Sequence, residues 1–444
     1  MNPSSLTDAQ VRQAASPVKK LDIWRTLSDG KQCRVGTLAQ NRQGVFFQYQ
    51  GDYVARFANL SPFKLLFDTS LQSAPGLPHQ GLHGVFADSL PDGWGLMLMD
   101  RVLRQAGLLP GQVTAMDRLA FVGASGMGSL RYEPVSELSV HPGAASMSVA
   151  EVGLQAQEVF DGQTTEVFSA LVAAGGSGGS RPKAQLYLQP DNDSVCSTQY
   201  TQGSKAYLVK FTSSRLALGH EEGLCEAAYL ILAKKAGIDT SDWRLLSAPR
   251  QSGAQQWLAL ARFDTRQLST GQQGRLHLHS ACGLLDADFR MPSLDYENLI
   301  KASSLLCKSP SAGQAQFRRA IFNLFALNHD DHSKNWAFLQ ADDGQWQLSP
   351  FYDVTFSPAP HGEHATSFVG LGKQPSLNAI QRLASHANFA DWGQARQVIA
   401  EVAEAISSFA EVAQSLGVGR DTIALITRQL GEAYKNNKTL LLAS

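Results

Sequence analysis

The segment NHDDHSKN, Asn328–Asn335, crowds two histidines, two aspartates and a lysine onto one short stretch of chain. Asp330 precedes Asn335 by five positions, and the chain reaches FYDV, with Asp353, after two apolar stretches, WAFLQ and WQLSP. An Asp343–Gly344 turn joins these stretches, so they read as a hairpin. A carboxylate at Asp330 can accept a hydroxyl proton, while Asn335 and Asp353 offer the hard oxygens that Mg²⁺ prefers. His332 and Lys334 lie between them on the same loop, where they could meet an anion.

Two earlier segments carry matching chemistry. In GGSGGSRPK, Gly175–Lys183, glycines let backbone N–H groups turn toward a phosphate without Cβ obstruction. Such composition also suits a flexible linker, but this loop runs straight into Arg181, Lys183 and an expected strand, Ala184–Leu188. In KAYLVKF, Lys205–Phe211, period-two alternation puts Ala206, Leu208 and Lys210 on one face of a strand. A lysine ending an apolar face is costly unless its ammonium meets an anion or snorkels to water. The helix that follows, within Glu221–Ile238, carries Glu222 and Glu226 on one face; either could reach Lys210, or both could be solvated. A lysine on a strand, a base Asp, an Asn five residues on and a metal-binding Asp after a hairpin form the order protein kinases use. HDDH also fits a His-Asp metal phosphohydrolase, which would draw on His220, His277, His279, His361 or His364, although none lies in a helical HxxxH pattern.

These residues must be carried by a sizeable scaffold. The 444 residues, 43% hydrophobic and 17% charged, suit about two or three domains and exclude a disordered chain or a coiled coil. With 38 basic and 39 acidic residues, the chain is not suited to coating nucleic acid unaided. Five dispersed cysteines without a CxxC pair, no signal-peptide pattern and no apolar run near the roughly 18 residues a span requires point to a cytoplasmic protein without membrane attachment. Val35–Tyr49 reads as a hairpin and Leu96–Gln105 as a helix headed by LPDGWG. Phe121–Pro134, with three glycines, reads as a tight turn between strands, and 135–150 as a boundary. Val398, Ile399, Val402, Ile406, Phe409, Val412 and Leu416 recur at helical spacing up to Gly417, which predicts one core-facing helix.

LPDGWG, FVGASGMGSLRYEP, SGGSRPKAQL, YLVKF, CEAAYLILAKKAGI, ALARFDTR, DDHSKN and YDV together resemble the HipA family, the kinase toxins of bacterial toxin–antitoxin pairs. The resemblance covers most of the chain. It implies an α+β fold: a two-lobed protein-kinase-like body, β-rich small lobe and helical large lobe, with an N-terminal α/β subdomain. The expected divisions are 1–140, 150–265 and 266–444. It further implies Asp330 as general base, Asn335 and Asp353 as Mg²⁺ ligands, and Lys210 on the ATP phosphates, partnered by Glu226. Gly178, Gly179, Ser180, Arg181, Pro182 and Lys183 would line the phosphates, Ala261 and Phe263 would bracket the adenine, and His332 and Lys334 would face the nucleotide. The implied activity is serine/threonine protein phosphorylation, typically of an aminoacyl-tRNA synthetase, with a small helix-turn-helix antitoxin as partner and DNA contact mainly through it. Gly176 and Gly178 stand where many relatives carry autophosphorylated serines, with Ser177 and Ser180 nearby. Because the motifs do not report the acceptor, a small-molecule or lipid kinase of the same superfamily remains an alternative.

Overall fold

The structure, a computed structural model, describes residues 17–139, 146–166, 168–175 and 178–442. It has a mixed α/β architecture in which three apolar cores succeed one another along the chain.

The first core lies under an antiparallel sheet of β1 (Lys20–Thr26), β2 (Gln32–Asn41), β3 (Gly44–Tyr49), β4 (Gln72–Ser73) and β5 (Leu130–Glu133), ordered β4-β3-β2-β1-β5. The expected hairpin is β2–β3, closed by the pair Asn41–Gly44. Between β4 and β5 run α1 (Gly93–Gln105) and α2 (Ala115–Val122). The stretch from Phe121 to Pro134 therefore differs from its expectation: it connects a helix to a strand. Phe121 and Val122 close α2, and Gly123, at φ +53°, stops the helix.

The second core belongs to a six-stranded antiparallel sheet. It comprises β6 (Met147–Ser148), β7 (Lys183–Gln189), β8 (Asn192–Ser197), β9 (Lys205–Lys210), β10 (Trp243–Ser247) and β11 (Gln256–Ala261), ordered β10-β11-β9-β7-β8-β6. Trp94, Leu98 and Val102 of α1 join this core, as do Val152 and Val159 of α3 (Val149–Phe160). Gly153 lets α3 lie against Trp257, since a Cβ there would stand 2.1 Å from the indole. Between β9 and β10, α4 (Glu222–Lys235) is buried on nearly every side. It packs on β11 and also joins the third core, where Tyr229 Oη donates to the Ala326 carbonyl at 2.8 Å.

That third core is mainly helical, built by α5 (Tyr296–Cys307), α6 (Pro310–Ala326), α7 (Trp392–Ser407), α8 (Phe409–Ser415) and α9 (Arg420–Asn437). A small sheet of His277–Ser280, Ala337–Gln340 and Trp346–Leu348 flanks it, the last two strands forming the expected hairpin. The apolar stripe from Val398 to Leu416 is split between α7 and α8, not carried on one helix. Ser408 Oγ donates to the Ala405 carbonyl at 2.8 Å, and Ser408 itself leaves helical geometry at φ −83°, ψ 8°. At the break the Ser408 hydroxyl thus caps a carbonyl of the last turn of α7.

The first unit is docked on the third by buried polar contacts. Arg25, with no exposed surface, donates to Gln340, the Ala341 carbonyl and Asp342. Asp88 accepts from Ser280 N and Oγ and pairs with His279 at 2.6 Å.

Candidate functional site

The register of β7 against β9 sets Lys183 directly opposite Lys210. Like charges facing each other across a ladder repel, and these residues are only 4% and 5% exposed. The arrangement needs anions. Lys210 Nζ donates to both Glu226 oxygens at 2.7 and 2.8 Å and to the Asp353 carboxylate. Lys183 Nζ donates to the Gly178 carbonyl at 2.7 Å. The two α4 glutamates are thus not solvated: Glu226 holds Lys210, and Glu222 pairs with Arg181 at 3.2 Å.

Burial opposes the charge on Asp353, but Lys210, then Lys183 and Arg181, hold its carboxyl well below the usual range. Burial pushes Glu226 up, with Lys210 acting against it. Of the two carboxyls that share the Lys210 ammonium, Asp353 is thus the one its cations hold toward the ionised form, and Glu226 the one that burial makes harder to ionise. Asp353 sits at φ +54°, a left-handed conformation that Asp tolerates better than most side chains.

Lys183, Lys210 and Asp353 line one cavity with Gly178 and Gly179. Ala261 and Phe263, at the end of β11 and just beyond it, line it too, as do His332, Lys334 and Asn335. Ser180, Arg181, Pro182, Glu226 and Asp330 are not among its lining residues. Of these, Glu226 and Arg181 act on it through their partners. Pro182 is buried and accepts from Phe211 N at 2.9 Å, and Ser180 is exposed. Gly176 and Ser177 lie outside the described residues.

Neighbouring aspartates in NHDDHSKN have opposite environments. The Asp330 side chain is 60% exposed, with His332 Nε2 at 3.8 Å. Its carbonyl accepts from Asn335 Nδ2 at 2.7 Å, which leaves the Asn335 amide oxygen for a cation. Asp331 is buried: its carboxylate accepts from Tyr296 Oη at 2.5 Å and Thr366 N at 3.1 Å and pairs with His364 at 2.9 Å. His329 accepts from Ala359 N at 3.0 Å. These groups are committed to holding the loop, and among the described residues no group of three or more His, Cys, Asp or Glu is arranged to hold a metal ion. His277 and His279 are fully buried beneath the first unit.

Sequence reasoning missed Asp92. Its carboxylate accepts from Gly179 N and from Lys334 Nζ, the latter at 2.5 Å. Trp94 N donates to the Gly179 carbonyl at 3.0 Å and Trp94 Nε1 to the Lys183 carbonyl at 2.8 Å. LPDGWG is thus a three-point grip on the glycine loop. Its density of turn formers around a tryptophan was the available signal. Lys334 and the Gly179 N–H hold the Asp92 carboxyl below its usual range against burial, which acts to raise it.

Residues 175–410, just over half of the chain, match the HipA-like C-terminal domain, and residues 30–133 match the HipA N-terminal domain. The chain belongs to the HipA family. Its fold is similar to that of the HipA chain in the Shewanella oneidensis MR-1 toxin–antitoxin complex of HipA, HipB and operator DNA. The TM-score is 0.69 at 16% identity, covering 95% of this chain and 100% of that one. A Haemophilus influenzae protein named "Putative kinase" is 28% identical over 191 residues, 41% of this HipA-family chain and 53% of the relative. The match thus spans about half the length of that relative. The Helicobacter pylori proinflammatory kinase CtkA aligns with 56% of this chain and 94% of its own at 12% identity and a TM-score of 0.31, too low to bear on the fold.

Proposed function

We propose that this HipA-family protein is an ATP- and Mg²⁺-dependent serine/threonine protein kinase acting as a toxin. The observation that carries the reading is the convergence of Lys183, Lys210 and the Gly178–Gly179 backbone on one cavity with Asp353, whose carboxylate pairs with Lys210. Paired buried lysines suit a polyphosphate, which relieves their mutual repulsion. In this reading Lys210, oriented by Glu226, binds the α- and β-phosphates. The glycine loop with Ser180, Arg181, Pro182 and Lys183 encloses the chain of phosphates, and His332 and Lys334 face it. The adenine lies by Ala261 and Phe263. Asn335 and Asp353, both oxygen donors on this cavity, would hold Mg²⁺, which when bound supplies charge neutralisation on the transferred phosphoryl group. Asp330, exposed where a protein hydroxyl can approach, accepts that hydroxyl's proton.

Residues 150–265 then form the small lobe and 266–444 the helical large lobe of a kinase-like body, with 1–140 as an added subdomain. The acceptor is a translation component such as an aminoacyl-tRNA synthetase. By likeness to the HipA–HipB–DNA complex, the partner is a small helix-turn-helix antitoxin through which the protein meets DNA. A cytoplasmic location fits five free cysteines and the finding that no described helix is long and apolar enough to cross a membrane.

The test is binding and turnover together. Mg²⁺–ATP should raise the melting temperature of the wild type, and Lys210→Ala or Asp353→Ala should abolish that shift. Asp330→Asn should keep the shift while phosphoryl transfer falls by roughly 10²–10⁴-fold. A protein whose melting ATP leaves unchanged is not this kinase, and growth arrest that persists in Asp330→Asn would separate toxicity from phosphorylation.

A further inference from the structure

The glycine-rich stretch FVGASGMGSLRYEP has no part in the chemistry above, yet the structure ties its centre firmly to the cavity. The Gly126 carbonyl accepts from Arg275 Nη1 at 3.0 Å and from Arg262 Nη2 at 3.5 Å. The Gly128 carbonyl accepts from Arg275 Nη1 at 3.2 Å, and Gly128 N donates to Asp264 Oδ2 at 2.6 Å. Arg262 and Asp264, which form this clamp, are a buried ion pair at 2.6 Å flanking Phe263. Gly128, at φ +79°, has room for a Cβ only at 3.1 Å from Leu278, so the turn is tight against the third unit as well. Both ends of a three-residue turn are thus fixed by buried charged groups, and the residue between them, Met127, is only partly buried and lines the cavity together with Leu260, Ala261 and Phe263.

We infer that Met127 is a base-binding residue: the first unit presents its thioether as one wall of the pocket in which the purine packs. The inference rests on reading the cavity as a nucleotide site. Phosphate recognition falls to the lysines and the glycine loop, so what remains at the Ala261–Phe263 end is an apolar lining suited to a flat aromatic ring. A flexible, polarisable methionine makes favourable sulfur–aromatic contacts with such a ring. The clamp explains how an otherwise adaptable side chain is held at one depth. It also means that a bound nucleotide touches the first unit as well as the sheet and the helical part, so nucleotide binding and docking of that unit stabilise each other.

The experiment measures ADP affinity and unliganded melting temperature for the full-length wild type and for Met127→Leu, Met127→Ala and Met127→Trp. Met127→Leu keeps the apolar bulk but loses the sulfur contact, and should bind a few-fold more weakly than the wild type. Met127→Ala should bind roughly tenfold more weakly through lost apolar contact. Met127→Trp should fill the base space and abolish ADP binding. All three should melt with the unliganded wild type, which a merely structural methionine would not allow. Wild-type affinity in the alanine and tryptophan variants, or weakened binding matched by a lower unliganded melting temperature, overturns the inference and leaves the nucleotide site standing. A wild type that binds neither ADP nor ATP overturns that site, and the inference with it.

Discussion

Asp330 and Asp331 are adjacent in sequence and opposite in physics. Asp330 is exposed and accepts nothing through its carboxylate that folding requires, so Asp330→Asn should change stability by less than about 0.5 kcal/mol while, on the proposed function, lowering phosphoryl transfer. Asp331 satisfies Tyr296, Thr366 and His364 in the interior. Asp331→Ala strands those groups without an acceptor and should cost about 3 kcal/mol or more, read as an earlier urea midpoint with or without nucleotide. Lys210 is a different case again. Removing it leaves Glu226 buried without its cation, so the loss of ATP binding expected in Lys210→Ala should come with lower unliganded stability, whereas Asp353→Ala removes one anion from an overcrowded pair and should spare Glu226.

The glycine loop is an element whose shape is set from outside itself. Gly93, at φ +45°, lies so close that a Cβ would meet the Gly179 carbonyl oxygen at 2.5 Å. Gly93→Ala should therefore push the loop off its seat and weaken Mg²⁺–ATP binding by about tenfold or more, with α1 itself still helical by circular dichroism. Asp92→Ala should weaken binding in the same direction, because it frees both Gly179 N–H and Lys334 from their shared acceptor. An affinity unchanged in both variants would mean that the grip does not set the loop for nucleotide.

Across the molecule, several histidines are buried neutral. Burial pulls His83 and His329 down to about 4, and drives His277 well below the ordinary value, with Arg25 and His279 adding to the effect there. In the unfolded chain these groups titrate near 6.5, so between about pH 6.5 and pH 4 the unfolded state binds protons the folded state refuses. Their contribution to stability is complete above that window and is lost as the pH falls through it. The melting temperature should decline progressively from about pH 6.5 to pH 4. The lowered carboxyls of Asp353 and Asp92 extend the loss further into acid, since each stabilises the fold while ionised. A flat profile down to pH 5 would contradict the assignment of these histidines as neutral.

Chemistry-bearing residue types, their order and their local elements were legible in the sequence. The hairpin between Asn335 and Asp353, the strand ending in Lys210 and the helix bearing Glu226 all depend on turn residues and periodicity within a few positions. Local periodicity still misled at Ser408, where the chain leaves helical geometry although the apolar stripe runs straight through. Nothing in the pattern could tell which aspartate of the DD pair is buried, because partners of Asp331 come from α5 and from the stretch after Phe356. Nor could it place Asp92 on Lys334, 242 positions away, or Met127 beside Ala261. Such contacts arise where distinct apolar cores pack against one another and must satisfy the buried charges between them. Spacing along the chain carries no record of that docking, so tertiary structure alone decided which residues of the first unit reach the site.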